Sequence, residues 1–170
     1  MENKKLRIAF IVISSLITTA LITFIFSNSL KSPTASTGQS LGLYDKIVNF
    51  FEINFGQSFA EFIQGFFTEY LLRKTAHVIE YTALGVSLNL TVLSIFGLKK
   101  NYLFLSLGIG LTIASIDEVL QLHSGRGASV LDVLLDFTSF LIVTLIFFIV
   151  YGVLNKKAKN KKEEQNAKAN

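Results

Sequence analysis

Residues 74–96 read KTAHVIEYTALGVSLNLTVLSIF, and how this stretch is understood decides the fold. It is long and apolar enough to cross a bilayer as a helix, yet Lys74, His77 and Glu80 stand at its head. A charge at bilayer depth costs on the order of 3 kcal/mol. Such groups are kept where they pair, line a wet cavity or carry out chemistry.

The surrounding sequence supports the membrane reading. Hydrophobic residues make up 51% of the 170, with sixteen Phe and a single Pro, and mean hydropathy is +0.51. A soluble domain of this length could not hide so much apolar surface. Besides residues 75–96, the stretches 8–26, 102–120 and 130–154 approach or exceed the roughly 20 residues that a helix needs to cross hydrocarbon. The expectation is an all-α polytopic membrane protein with four transmembrane helices and an extracytoplasmic amphipathic segment. Residues 1–154 form one membrane domain, and residues 155–170 a disordered basic tail. The first span resembles the apolar core of a signal sequence. It is longer than usual, and Ser27-Asn28-Ser29 is a poor cleavage site, so it is expected to remain as a helix.

Basic residues give the orientation. Three lie near the start (Lys4, Lys5, Arg7) and two between the second and third spans (Lys99, Lys100). Six more lie in the tail (Lys156, Lys157, Lys159, Lys161, Lys162, Lys168). With four spans all of these fall on one side, so both termini are expected in the cytoplasm. Lys99, Lys100 and Asn101 would then form a minimal turn.

Residues 27–73 lie outside in this arrangement. The Ser- and Thr-rich part from Ser27 to Gly42 contains Pro33 and reads as loop. Further on, Phe59, Phe62, Ile63, Phe66, Phe67, Tyr70 and Leu71 recur on one helical face. Ile47, Val48, Phe50 and Phe51 make a shorter stripe, separated from it by Gly56. Such a helix should lie in the interface or pack over the bundle.

Helix rise brings the unusual charges to one level. At 1.5 Å per residue, Asp117 lies about 25 Å from Lys99 and Lys100, and His77 about 33 Å from them. Asp136 is about 30 Å from Lys156 on the same measure. Lys74, His77 and Tyr81 share one stripe, as do Asp117 and Gln121, with Glu118 flanking, and Asp132 and Asp136. Two readings follow. One is an outer-leaflet pocket whose ligand-binding residues are Lys74, His77, Tyr81, Asp117, Glu118, Gln121, Arg126, Asp132 and Asp136. The other is a structural ion-pair lock, with Arg73 and Lys74 merely snorkelling and His123 a bystander.

Within a pocket, His77 with Glu80, Asp117 or Glu118 could transfer protons near neutral pH. Lys74 and Arg126 could instead grip a phosphate or carboxylate. No cofactor is expected. A divalent cation held by His77 with Asp117, Glu118, Asp132 or Asp136 is the weaker alternative, since the spacing matches no ligand motif and HEXXH is absent. Absent cysteine excludes disulfides and thiolate chemistry, and no G-x-S-x-G supports a serine nucleophile. Nothing suggests nucleic-acid binding.

Several of these residues form a pattern: Arg73-Lys74-x-x-His77-x-x-Glu80-Tyr81-x-x-Leu84-Gly85, Asp117-Glu118-x-x-Gln121, Gly125-Arg126 and Asp132-x-x-x-Asp136. Phe26-Ser27-x-Ser29, Ser36 and Ser40 belong with it, so the pattern spans residues 26–140. It resembles the VanZ-like family, named for a teicoplanin-resistance accessory protein. The resemblance implies a role in glycopeptide or lipoglycopeptide tolerance at the cell envelope, with membrane lipids and a lipid-linked wall precursor or lipoglycopeptide as partners. An intramembrane enzyme acting on an envelope lipid is the alternative. Two departures stand out. Ser139 and bulky neighbours replace the glycines usual after Asp136, which implies different packing of the last helix. His123-Ser124 replaces a more apolar or proline-containing stretch.

Overall fold

The computed structural model describes residues 2–97 and 100–169, which form six helices with no strand among them. They are α1 (Glu2–Ser29), α2 (Pro33–Phe55), α3 (Gln57–Phe66), α4 (Glu69–Phe96), α5 (Lys100–His123) and α6 (Val130–Ala169). Four helices are long and apolar enough to cross a membrane: Lys4–Ser29, Glu69–Phe96, Asn101–His123 and Val130–Lys161. They alternate in direction. The ends of α1 and α5 therefore meet the starts of α4 and α6 at one end of the bundle.

The helix α4 is the centrepiece, packing most extensively on α6 and α1. Ile25, Tyr81, Leu84, Leu88, Val92, Ile113, Ala114 and Phe140 form the core. Outward-facing residues such as Leu16, Ile146 and Ile149 stay exposed, as a lipid-facing surface requires. Bulk on α6 is accommodated by glycines on its neighbours. A Cβ at Gly110 would come within 2.5 Å of the Phe140 ring, and one at Gly85 within 3.2 Å of Val143. The missing glycines after Asp136 are thus matched by glycines across the interface.

The opposite end is closed by Arg7. Its Nε and Nη2 donate to the Ser94 carbonyl at 3.1 and 3.0 Å, and Nη2 to the Ile95 carbonyl at 3.3 Å. A cation there satisfies the orphan carbonyls and negative dipole end of α4.

Four sequence expectations need correction. The segment 27–42 is mostly helix, because Pro33 occupies the first turn of α2, where its missing N–H costs nothing, and Ser32 caps it by accepting from the Ala35 amide at 3.4 Å. The Phe-rich stripe divides rather than running through to Leu71. α3 stops at Phe66, and Thr68 accepts from the Leu71 amide at 3.2 Å to cap α4, which therefore starts six residues before Thr75. The tail expected to be disordered continues α6 to Ala169. Lys, Glu, Gln and Ala are good helix formers, and Lys159 and Glu163 approach to 3.8 Å one turn apart. Of the expected turn, Lys99 lies outside the described residues, whereas Lys100 and Asn101 already belong to α5.

Gly56, with φ of 87°, separates α2 from α3 as expected. Phe51, Phe55, Phe59 and Phe62 stack along this arm with centroids 5.2–6.2 Å apart. Phe62 and Phe66 remain exposed.

Candidate functional site

The end where α1, α4, α5 and α6 meet holds most of the polar residues singled out in the sequence. α4 and α6 run in the same direction there, so their polar side chains pair in two rungs. In the outer rung Lys74 donates to Asp132. One turn deeper His77 Nδ1 lies 3.3 Å from Asp136 Oδ2. α5 contributes Asp117, whose Oδ2 is 4.0 Å from His77 Nδ1.

Asp117 is fully buried and richly bonded. Its Oδ1 accepts from Ser29 Oγ. Its Oδ2 accepts from Tyr81 Oη at 3.2 Å and Gln121 Nε2 at 3.4 Å. The i, i+4 spacing of Asp117 and Gln121, and of His77 and Tyr81, puts each pair on one face. Asp136 is as deeply buried, at 1% exposure, yet neither of its carboxylate oxygens has a hydrogen-bond partner among the described residues. His77 Nδ1 likewise lacks a properly oriented partner despite its closeness to Asp136. Buried polar groups are normally satisfied, so such an orphaned set is unusual.

The other candidates lie around this centre. Glu80 accepts from Asn28 Nδ2 at 3.3 Å and makes no ion pair with the described residues. Glu118 turns towards the α5–α6 connection, where one oxygen accepts from the Ser129 amide and the other is unpartnered. Arg73 comes within 4.0 Å of Glu69, which also accepts from Ser40 Oγ. Arg126 Nη1 donates to the Asn28 carbonyl at 3.4 Å. Burial, and then the nearby Arg73 guanidinium, hold Arg126 below the usual arginine range. His123 is exposed at the end of α5.

Two clefts reach this centre from outside. One passes between α1, the first half of α2 and α4, bordered by Lys31, Ser36, Gln39, Ser40 and Glu80. The other, of about 330 Å3, is bordered by Tyr70, Lys74, Gln121 and Asp132. Arg73, His77 and Arg126 line both. His77 is thus the point at which the outside reaches the buried aspartates, and two guanidiniums flank the approach.

A family model described as VanZ/LLP1 matches residues 10–151. The chain belongs to that family. With its four apolar helices it is a VanZ-like membrane protein, linked through the family to glycopeptide resistance. No curated protein and no solved structure matches it. Of the four serines that entered the sequence pattern, Ser29 and Ser40 bond to Asp117 and Glu69. Asn28, Lys31 and Gln39 had no sequence signal beyond polarity. Lys31 Nζ donates to Asn28 Oδ1 at 2.7 Å and Gln39 Oε1 at 2.6 Å, a local arrangement that no periodicity reveals.

Proposed function

We propose that this VanZ-like protein acts at the cell envelope by binding an anionic, lipid-linked ligand in the clefts that meet at His77. Both termini would be cytoplasmic and the clefts would open at the outer leaflet. The observation that carries this reading is the placement of Arg73 and Arg126, which border both clefts. Two guanidiniums held near each other repel, and an anion between them relieves that repulsion while accepting paired hydrogen bonds. Phosphate on a polyprenyl carrier suits the geometry, its chain lying in the bilayer beside the cleft mouth. A lipoglycopeptide offers the same combination of acyl chain and carboxylate.

The test is binding of a polyprenyl phosphate to the full chain in nanodiscs, with inorganic phosphate and phosphatidylglycerol as comparison ligands. Wild type should prefer the polyprenyl phosphate, and R73A and R126A should each weaken it at least tenfold. Equal binding by all three proteins would overturn the reading. In a strain that depends on the protein, the same variants at normal expression should lose teicoplanin tolerance. Orientation is open to a direct check, because the chain lacks cysteine. A single Cys introduced at Ser36 should react with an impermeant reagent on whole cells, and one at Lys159 should not.

A second reading, an intramembrane enzyme using His77 and a carboxylate as acid and base, is favoured by the 3.3 Å approach of His77 to Asp136. It requires envelope lipid profiles that differ between cells with wild type and with H77A. Identical profiles would exclude it.

A further inference from the structure

We infer that His77 Nδ1, Asp117 and Asp136 form a binding site for one divalent transition-metal ion, zinc in the first instance, at the floor of the clefts. The three ligand atoms lie within 4.8 Å of one another and come from three different helices. The inference goes beyond the anion-binding reading and does not depend on it, since the guanidiniums stand at the rim and the metal ligands at the floor.

Three observations carry it. The first is the orphaned chemistry. Asp136 is 1% exposed and stands 3.3 Å from His77 Nδ1, in an orientation that gives neither its oxygens nor His77 Nδ1 a well-formed hydrogen bond. Buried groups in this state have bonding capacity left for a further partner. The second is charge. Lys74 is engaged by Asp132 and Arg73 approaches Glu69, so among the described residues no lysine or arginine pairs directly with Asp117 or Asp136, and His77 is the ion-pairing group beside both. A doubly charged cation with two carboxylates and a neutral imidazole makes a set of zero net charge, the least costly one to bury.

The third is geometry. Zinc bonds of about 2.0–2.2 Å in tetrahedral array place ligand atoms about 3.3–3.6 Å apart. His77 Nδ1 and Asp136 Oδ2 are already 3.3 Å apart, and Asp117 Oδ2 at 4.0 Å needs a modest side-chain approach. Magnesium and calcium favour all-oxygen shells, whereas the imidazole nitrogen of His77 suits zinc and its transition-metal neighbours. Three protein ligands leave a fourth position for water or an incoming anion. His77, which lines both clefts, gives that position a route to the outside. Around the site, Ser29, Tyr81 and Gln121 donate to Asp117, as supporting partners of a ligating carboxylate do. Glu118 and Asp132 are directed to Ser129 and Lys74 and take no part.

The experiment measures zinc bound to the chelator-stripped full chain in detergent, by elemental analysis and calorimetric titration. One zinc per chain is expected, with at least 100-fold loss of affinity in H77A and in D136N. Y81F, which removes only a donor to Asp117, should weaken binding about 10- to 100-fold. H123A should bind as wild type does. Cobalt in place of zinc should give the intense visible bands of a tetrahedral site, a readout on wild type that no folding defect can mimic. No stoichiometric zinc, unchanged binding in D136N and H77A, or preference for calcium or magnesium would each overturn the assignment. R126A should keep its zinc, so loss of anion binding and loss of metal are separable results.

Discussion

The middle of the bundle and its cleft-bearing end are tied together by the same three helices, α4, α5 and α6, but their polar groups are treated differently. In the middle, Asn89 Nδ2 donates to the Gly85 carbonyl at 2.7 Å and to Thr144 Oγ1 at 2.8 Å. Its Oδ1 accepts from Ser106 Oγ at 2.8 Å. All three side chains are fully buried, neutral and satisfied. At the end, His77, Asp117 and Asp136 come from the same helices, are ionisable, and leave His77 Nδ1 and both Asp136 oxygens without a well-formed hydrogen bond. A satisfied network orders a core. An unsatisfied one costs stability and persists where something else is gained. The contrast separates a device for folding from a device for binding within one bundle.

Substitutions in the two regions should therefore act on different observables. The largest effect on stability should come from N89A, which removes the acceptor of Ser106 and leaves it buried. A loss of about 1–3 kcal/mol is expected from the hydrogen bonds, with zinc and anion binding unaltered in the protein that remains folded. Denaturant or thermal melts in detergent would measure it. G110A comes next, since its Cβ would meet the Phe140 ring at 2.5 Å. Overpacking of this kind costs about 1–3 kcal/mol, and F140L in the same chain should restore part of it. K74A should cost about 1 kcal/mol, more than an exposed pair and less than a fully buried one, because the Lys74–Asp132 pair is about one-fifth exposed. Smallest is K159A, which breaks a solvent-exposed pair on the end of α6 and should leave the melt unchanged within about 0.5 kcal/mol.

The comparison also shows what a sequence discloses. The four spans were legible from apolar length alone, and the meeting of His77, Asp117 and Asp136 from helix rise and lysine placement. The stripe of Lys74 and His77 was legible too, as was that of Asp132 and Asp136, since i, i+3 and i, i+4 spacings hold on any helix. The partnering was not. Nothing local states that Lys74 takes Asp132 while His77 takes Asp136, because that depends on α4 and α6 running in register. Asn89, Ser106 and Thr144 went unremarked, since single neutral polar residues in apolar helices carry no periodic signal. Pro33 read as a loop marker because its role at a helix start depends on Ser32 before it. Glu69 and Arg73 hid the first turn of α4, because a span is recognised by apolar residues and its interfacial turns are charged.

The most direct test of the division between core and site is the stability of D136N against wild type, both stripped of metal by chelator. If the cluster is a binding site, neutralising a buried carboxylate that lacks a well-formed hydrogen bond should leave the protein as stable or raise its melting temperature, while zinc binding is lost. If the cluster is instead an ion-pair lock, breaking a buried pair should cost about 3–5 kcal/mol. A loss of that size in D136N would contradict the binding-site assignment.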